Sequence, residues 1–431
     1  MTLPPPSRVV SFSEASQIVR REAELLAVDR RLSVQWVPLL ESMGRVLASP
    51  IRADRDQPPF ARSTRDGFAC RAADLQPGRR LKVIGQVRAG ERWSRESADP
   101  LPASGPADEI ASGEAVEIMT GAPVPFGADC VVMVEHVEEC SGAIQVREGH
   151  ELSPGSNIVP AGAEARMEQV VLPSGLRMAP AQIAAAAACG AGQVSVFARP
   201  RVAILATGDE LVELGDQPQA HQIRNSNSYS LAAQLLTAGA DPLRLPIARD
   251  EAAHLQSLVE AGFEADMLLI SGGVSMGKYD LVEQVLLAAG AEFFFTGARI
   301  QPGKPIVFGR IAAAGGPRYF FGLPGNPVST MVTFSLFVEP LLRALAGQPY
   351  SGPRFAEAVL KTGLRGKPGL TRFLPAVLHA ESDQTSITSE VEPVPWQGSG
   401  DLANTSRSNC FLVVPADHPV IDAGERVTVL L

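Results

Sequence analysis

Residues 13–52 carry apolar positions Ala15, Ile18 and Val19 at helical spacing, with Ser13 as the expected cap, and this pattern predicts helix. From 53 to 167 the pattern shortens. Runs such as LKVIGQV (81–87), EAVEIMTG (114–121) and DCVVMVEHV (129–137) alternate with Gly/Pro-rich turns and predict a small β domain. The alanine-rich stretch 180–190 returns to helix. The β domain 53–167 is therefore expected as an insertion in one helical unit, 13–52 plus 168–198. From 199 to 347 strands and helices alternate: strands 201–207, 266–271 and 318–323 precede helices 227–240, 280–290 and 327–346. Such alternation predicts a doubly wound, mostly parallel sheet. Residues 350–431 read as short strands and turns, a C-terminal β domain. The fold class expected is α/β plus β, in several domains.

Each α/β strand ends in an unusual loop: ATGDELVE (206–213), SGGVSMGKYD (271–280) and GLPGNPVS (322–329). In open α/β sheets, ligands bind beyond the carboxyl ends of the strands, so the three turns are expected to share one cleft. That places Thr207, Gly208, Asp209, Gly272, Gly273, Ser275, Pro324, Gly325, Asn326 and Pro327 around a ligand. In the third loop, Asn326 reads as an N-cap and Pro327 as the first helical residue, presenting free N–H groups to an anion. Taken singly, that loop is equally an ordinary strand–helix turn. Asp209, Glu210 and Asp280 put carboxylates beside loops suited to anions, a conflict that Mg²⁺ bridging carboxylate and phosphate oxygens resolves. The bland reading of Asp209 and Glu210 is as first-turn partners of a helix dipole. Lys304 in QPGKP (301–305), with Arg299 as a weaker candidate, can hold an anion as a point charge; a solvated turn lysine is the alternative.

Composition narrows the choices. With 431 residues and a formal charge of −9, the chain is poorly suited to broad nucleic-acid binding. Its five cysteines form no CxxC pair, which points to a reducing cytoplasm rather than a disulfide framework. Neither a signal peptide nor an uninterrupted apolar run of membrane-spanning length is seen. GVSMG (273–277) matches a serine-hydrolase elbow at Ser275, but the histidine it needs could only be His379 or His418, in the separate C-terminal region. No HExxH is present, and the scattered histidines argue against zinc. Met276 and the phenylalanines 293–295 read as core.

Taken together, STRDGFA (63–69), IMTGAPVP (118–125), ILATGDEL (204–211), SGGVSMGKYD, QPGKP, GLPGNPVS and QGSGDL (397–402) resemble the molybdopterin molybdenumtransferase family of bacterial MoeA and the gephyrin E domain. The resemblance runs through nearly the whole chain. It implies a helical dimerising domain with an inserted β domain, a MogA-like α/β pterin-binding domain and a C-terminal β domain. The implied reaction joins adenylylated molybdopterin and molybdate into molybdenum cofactor, releasing AMP, with Mg²⁺ required. The implied partners are a second copy of the chain and the molybdopterin adenylyltransferase, with no nucleic acid or membrane. Asp66, Thr120 and Glu210 match the family's catalytic positions. Asp66, Glu210 and Asp280 would hold the metal, while Ser275, Lys304, Pro305 and Ser399 join the substrate site. The chain departs from the family pattern at Arg65, where the family usually has methionine, at Val159 in place of arginine, at Glu164 in place of aspartate, and at Pro375, near where relatives often carry an arginine that Arg372 would supply. Those departures admit a second reading, a non-catalytic pterin carrier or a tungstate-handling paralogue.

Overall fold

The computed structural model describes residues 8–28, 33–95, 109–150, 152–273, 281–313, 316–366, 368–383 and 386–431. The helix expected over 13–52 ends early: α1 spans Phe12–Val28, and Val34–Pro38 is a strand. The alternation in VQWVP explains the switch, since β-branched and aromatic residues two apart suit a pleated ribbon. That strand pairs antiparallel with Gln193–Phe197, Trp36 opposite Ser195. The cap is Ser11 rather than Ser13, its hydroxyl accepting from Glu14 N–H at 3.1 Å. Residues 47–53 pack with Leu172, Met178, Ala186 and Val196, whereas α1 buries Ala15, Val19 and Ala23 in the same core as Ile204, Leu269 and Phe321.

The α/β unit centres on a six-stranded sheet. Strand β1 (Arg201–Ala206) lies between Asp241–Arg244 and β2 (Met267–Ser271). Next come β3 (Arg318–Leu323), then Val307–Ile311 and Glu292–Phe295. The first four run parallel, Val307–Ile311 reverses, and the edge strand Glu292–Phe295 runs with the first four again, giving a mixed sheet. Burial on both faces explains the near-continuous apolar runs of β1 and β2. Helix α2 (Ser226–Ala238) follows β1, and α3 (Pro327–Thr333) follows β3. The chain of α3 continues through a π-turn at Phe334–Val338 into Glu339–Leu345. This span is long and apolar enough to cross a membrane, but 83% of it is buried inside the fold, as befits a core helix. Phe294 and Phe295 are core residues, as expected; Met276 lies outside the described residues.

The inserted segment forms a six-stranded sheet in the order Cys130–Met133, Gly67–Cys70, Glu114–Ile118, Arg80–Val87, Ala143–Val146, Val137–Cys140. The C-terminal segment closes on itself, because Thr371–Asp383 pairs with both Ser386–Pro393 and Cys410–Val414. Closure removes free sheet edges. Ile300–Gln301, which runs into QPGKP, adds to this sheet beside Thr371 and Arg372, tying the barrel to the α/β unit.

Candidate active site

Three turns meet at the carboxyl ends of β1, β2 and β3. Thr207 N–H donates to Ser271 O at 3.0 Å, and Gly272 N–H to Leu323 O at 3.2 Å, so each turn is fastened to its neighbour. Gly272 has φ +91°, and a Cβ there would stand 2.6 Å from Thr207 O. A Cβ on Gly325 would lie 3.7 Å from Gly272 Cα. The glycines thus let three backbones approach where side chains would hold them apart. Between the turns opens a cavity of about 720 Å³, a size suited to a small organic ligand.

The cavity brings together Thr207, Gly208, Glu210, Gly272, Gly273, Pro305, Pro324, Gly325, Asn326 and Pro327. Ser275 and Asp280 lie outside the described residues. Asp209 and Lys304 are exposed and stand outside the lining. Ser399 lines an adjoining depression with Gln397 and Asp401, and its carbonyl accepts from Val328 N–H at 3.0 Å. One N–H expected to be free at the start of α3 is therefore occupied. Pro327 does stand in the first turn of α3, but the Asn326 side chain makes no capping bond, so Asn326 caps by backbone position alone.

Glu210 is positioned by its own turn. A Cβ on Gly208 would collide with both carboxylate oxygens of Glu210, its Cδ lying only 2.7 Å away. With φ +137° at Gly208, the backbone itself favours glycine. The carboxylate is folded over the bare Cα and held at the cavity wall.

The residues between 223 and 250 were not legible as site residues. Arg224, Asn225, Ser226, Asn227 and Asp250 all line the cavity, as does Ser271. Their signal was the polar run IRNSNS ahead of α2, which reads as a helix start. Asn225 does serve that purpose, its Oδ1 accepting from Ser228 N–H at 3.2 Å. Arg224 adds an exposed cation to the wall where Lys304 was expected.

Asp66 and Thr120 meet each other instead. Asp66 Oδ1 accepts from Thr120 N–H at 2.6 Å and from its hydroxyl at 2.8 Å. The backbone N–H, then the hydroxyl, hold the Asp66 carboxyl below its usual range. The pair lies on the inserted sheet and does not line the cavity within one chain. Because its folded pKa is depressed, Asp66 favours the folded state above its ordinary pKa and loses that contribution as pH falls through the lowered value. Thr120→Val removes the hydroxyl bond and keeps the N–H bond, so it is expected to raise the Asp66 pKa part of the way toward the usual aspartate range, measured by NMR titration of the side-chain carboxyl; an unmoved midpoint would discard the hydroxyl's contribution.

Two departures from the family pattern acquire a structural account. Val159 lies opposite Arg62 in a two-stranded ladder, and Arg62 reaches Glu164 at 3.0 Å. The guanidinium expected at 159 stands on the neighbouring strand, where the longer Glu164 meets it.

Residues 10–190 match the MoeA N-terminal region (domain I and II), 203–344 the probable molybdopterin binding domain, and 357–431 the MoeA C-terminal region (domain IV). The chain belongs to the MoeA family. A molybdopterin molybdenumtransferase of Haemophilus influenzae is 33% identical over 92% of this chain and 93% of its own length. That of Bacillus subtilis is 34% identical over 92% and 89%. The crystal structure of a molybdopterin biosynthesis moeA protein from Pyrococcus horikoshii OT3 covers 98% of this chain and all of its own, with TM-score 0.77 and 28% identity. The MoeA relationship therefore extends through all the segments described above.

Proposed function

We propose that the chain is a molybdopterin molybdenumtransferase of molybdenum cofactor biosynthesis, transferring molybdenum from molybdate to adenylylated molybdopterin and releasing AMP. One observation carries the reading: three glycine turns pool backbone at a cavity walled by Glu210, Asp250 and Arg224. A ligand with an organic ring and a phosphate tail suits such a mixed wall. Arg224 offsets phosphate or molybdate charge, and the turns bring backbone groups close to the ligand without intervening side chains. Glu210 and Asp250 supply hard oxygen donors, the class Mg²⁺ prefers, and Asp280 is expected to join them. Mg²⁺ bound there would neutralise phosphate charge as the anhydride is cleaved. Glu210, held over Gly208, would orient water while the ring dithiolene takes up the metal. The assay is AMP release from adenylylated molybdopterin with and without molybdate and Mg²⁺; release independent of molybdate would refute the assignment.

Asp66 and Thr120 would complete this site from a second copy. Trp36 and Leu40, 69% and 79% exposed, stand on and just beyond the Val34–Pro38 ribbon and offer a surface for self-association. Trp36→Asp combined with Leu40→Asp is expected to convert a dimer to monomer in light scattering. Mixing inactive Asp66→Ala and Glu210→Ala chains should restore activity, since half the sites of a mixed dimer would then hold both acids. No restoration would place the two acids in separate roles. Cytoplasmic location and contact with the molybdopterin adenylyltransferase belong to the same proposal.

A further inference from the structure

The side chain of Asn227, at the start of α2, ties the site together. Its Nδ2 donates to Ser271 Oγ at 2.8 Å and to Gly325 O at 2.7 Å, joining α2 to the ends of β2 and β3. The orientation of this amide is fixed by chemistry, because a backbone carbonyl can only accept. Both amide hydrogens are therefore used, and Oδ1 points elsewhere. That oxygen is buried and has no hydrogen-bond partner among the described residues, and the same holds for Thr207 Oγ1, on a residue only 4% exposed. Both residues line the cavity. Thr207 Oγ1 faces Gly273, where an added Cβ would stand 2.6 Å from it.

Buried polar atoms left unpaired are costly and uncommon, and two in one cavity wall call for a partner that the described residues do not supply. Their chemistry limits that partner. Asn227 Oδ1 can only accept, so a phosphate or molybdate oxygen against it would be repelled. Arg224, exposed on the same cavity, suits the anionic portion.

We infer that Asn227 and Thr207 form a reading edge for N–H donors of the ligand ring, an aminopyrimidinone edge of the kind a pterin presents. Asn227 is at once a positioning residue for the turns after β2 and β3 and a specificity determinant. The inference rests on the proposed pterin-dependent function and adds which protein groups tell one ring edge from another.

The test uses two fluorescent rings with the purified full chain: 2-amino-4-oxopteridine and 2,4-dioxopteridine. The second replaces the exocyclic amino donor by a carbonyl acceptor. The wild-type chain is expected to prefer the amino ring by about tenfold, because the dioxo ring sets acceptor against acceptor. Thr207→Val removes a hydroxyl with no partner among the described residues, so the melting temperature should hold or rise while amino-ring affinity falls about three- to tenfold. Asn227→Ala should bring the ratio of the two affinities close to one, a readout that mere loosening of the turns would not produce. A ratio unchanged in both variants overturns the reading edge and leaves the proposed activity standing. Failure of the wild-type chain to bind either ring overturns both.

Discussion

Glu210→Gln is expected to lower molybdate-dependent AMP release by about 10²–10³-fold, the usual cost of deleting one preorganised charged group at a reacting centre. Glutamine keeps the shape of the side chain and removes only its charge, so the melting temperature should stay within about 2 °C. Gly208→Ala approaches the same site from the backbone. Its methyl group would occupy the space of the Glu210 carboxylate and force it off the cavity wall. The left-handed backbone at Gly208 adds strain to that displacement. The two variants should lose activity together, with Gly208→Ala also losing some stability. If Gly208→Ala kept full activity, the carboxylate would not need its place over that glycine. If Glu210→Gln did, the acid would have no part in the chemistry.

Glu22→Ala is expected to destabilise the α/β unit by about 2–4 kcal/mol, a discount from the cost of breaking a fully buried ion pair because Arg310 keeps some solvent contact. Glu22 is only 1% exposed, although it sits on helix α1 among the charges of VRREAELL. Its Oε2 meets Arg310 Nη1 at 3.1 Å and accepts from the Tyr319 hydroxyl at 3.3 Å. Burial, followed by the Glu22 charge, pushes the Tyr319 phenol upward. Arg310 and Tyr319 stand opposite each other on the antiparallel pair formed by Val307–Ile311 and β3. The carboxylate therefore anchors the N-terminal helix to strands nearly 300 positions away in sequence. Removing it leaves the phenol facing a void and the guanidinium with Glu292, 2.8 Å from its Nε. Calorimetry should show the loss as a drop of about 5–10 °C in the transition of this unit. The double variant Glu22→Leu with Arg310→Met should recover much of it, since an apolar pair needs no counter-charge. A single variant that melts with the wild type would show that the anchor is redundant.

The two cases show which inferences a linear reading supports. The turns after β1, β2 and β3 were legible because glycine and proline dictate local backbone shape wherever they occur. The sheet-edge rule then places such turns together. Their meeting at one cavity follows that logic. Gly208 was legible as a turn glycine, but not as the seat of the Glu210 carboxylate, since its φ and the fold of a side chain over it are three-dimensional facts. In the run IRNSNS, Asn225 caps α2, and nothing in the string marks Asn227 as a strut between two strands. Asp250 follows a short stretch without a motif and reaches the cavity only because the loop after the Asp241–Arg244 strand returns to the end of β1.

Helix α1 was legible as a helix but not in its extent or allegiance. Its apolar stripe states that one face must be buried and leaves open against what, because many apolar surfaces would satisfy it. The choice was made by Glu22, a charge whose partners lie on distant strands. Sequence alone determined the alternation of elements, the parallel sheet with its glycine turns, and the family through motifs whose order is too specific for chance. Tertiary structure decided where α1 docks, which side chains face the cavity, and that Asp66 and Thr120 stand apart from it in a single chain. The physical reason is that backbone conformation is set by neighbours in the chain, whereas the partner of a buried charge or an open acceptor is set by whatever the fold brings within about 3 Å of it.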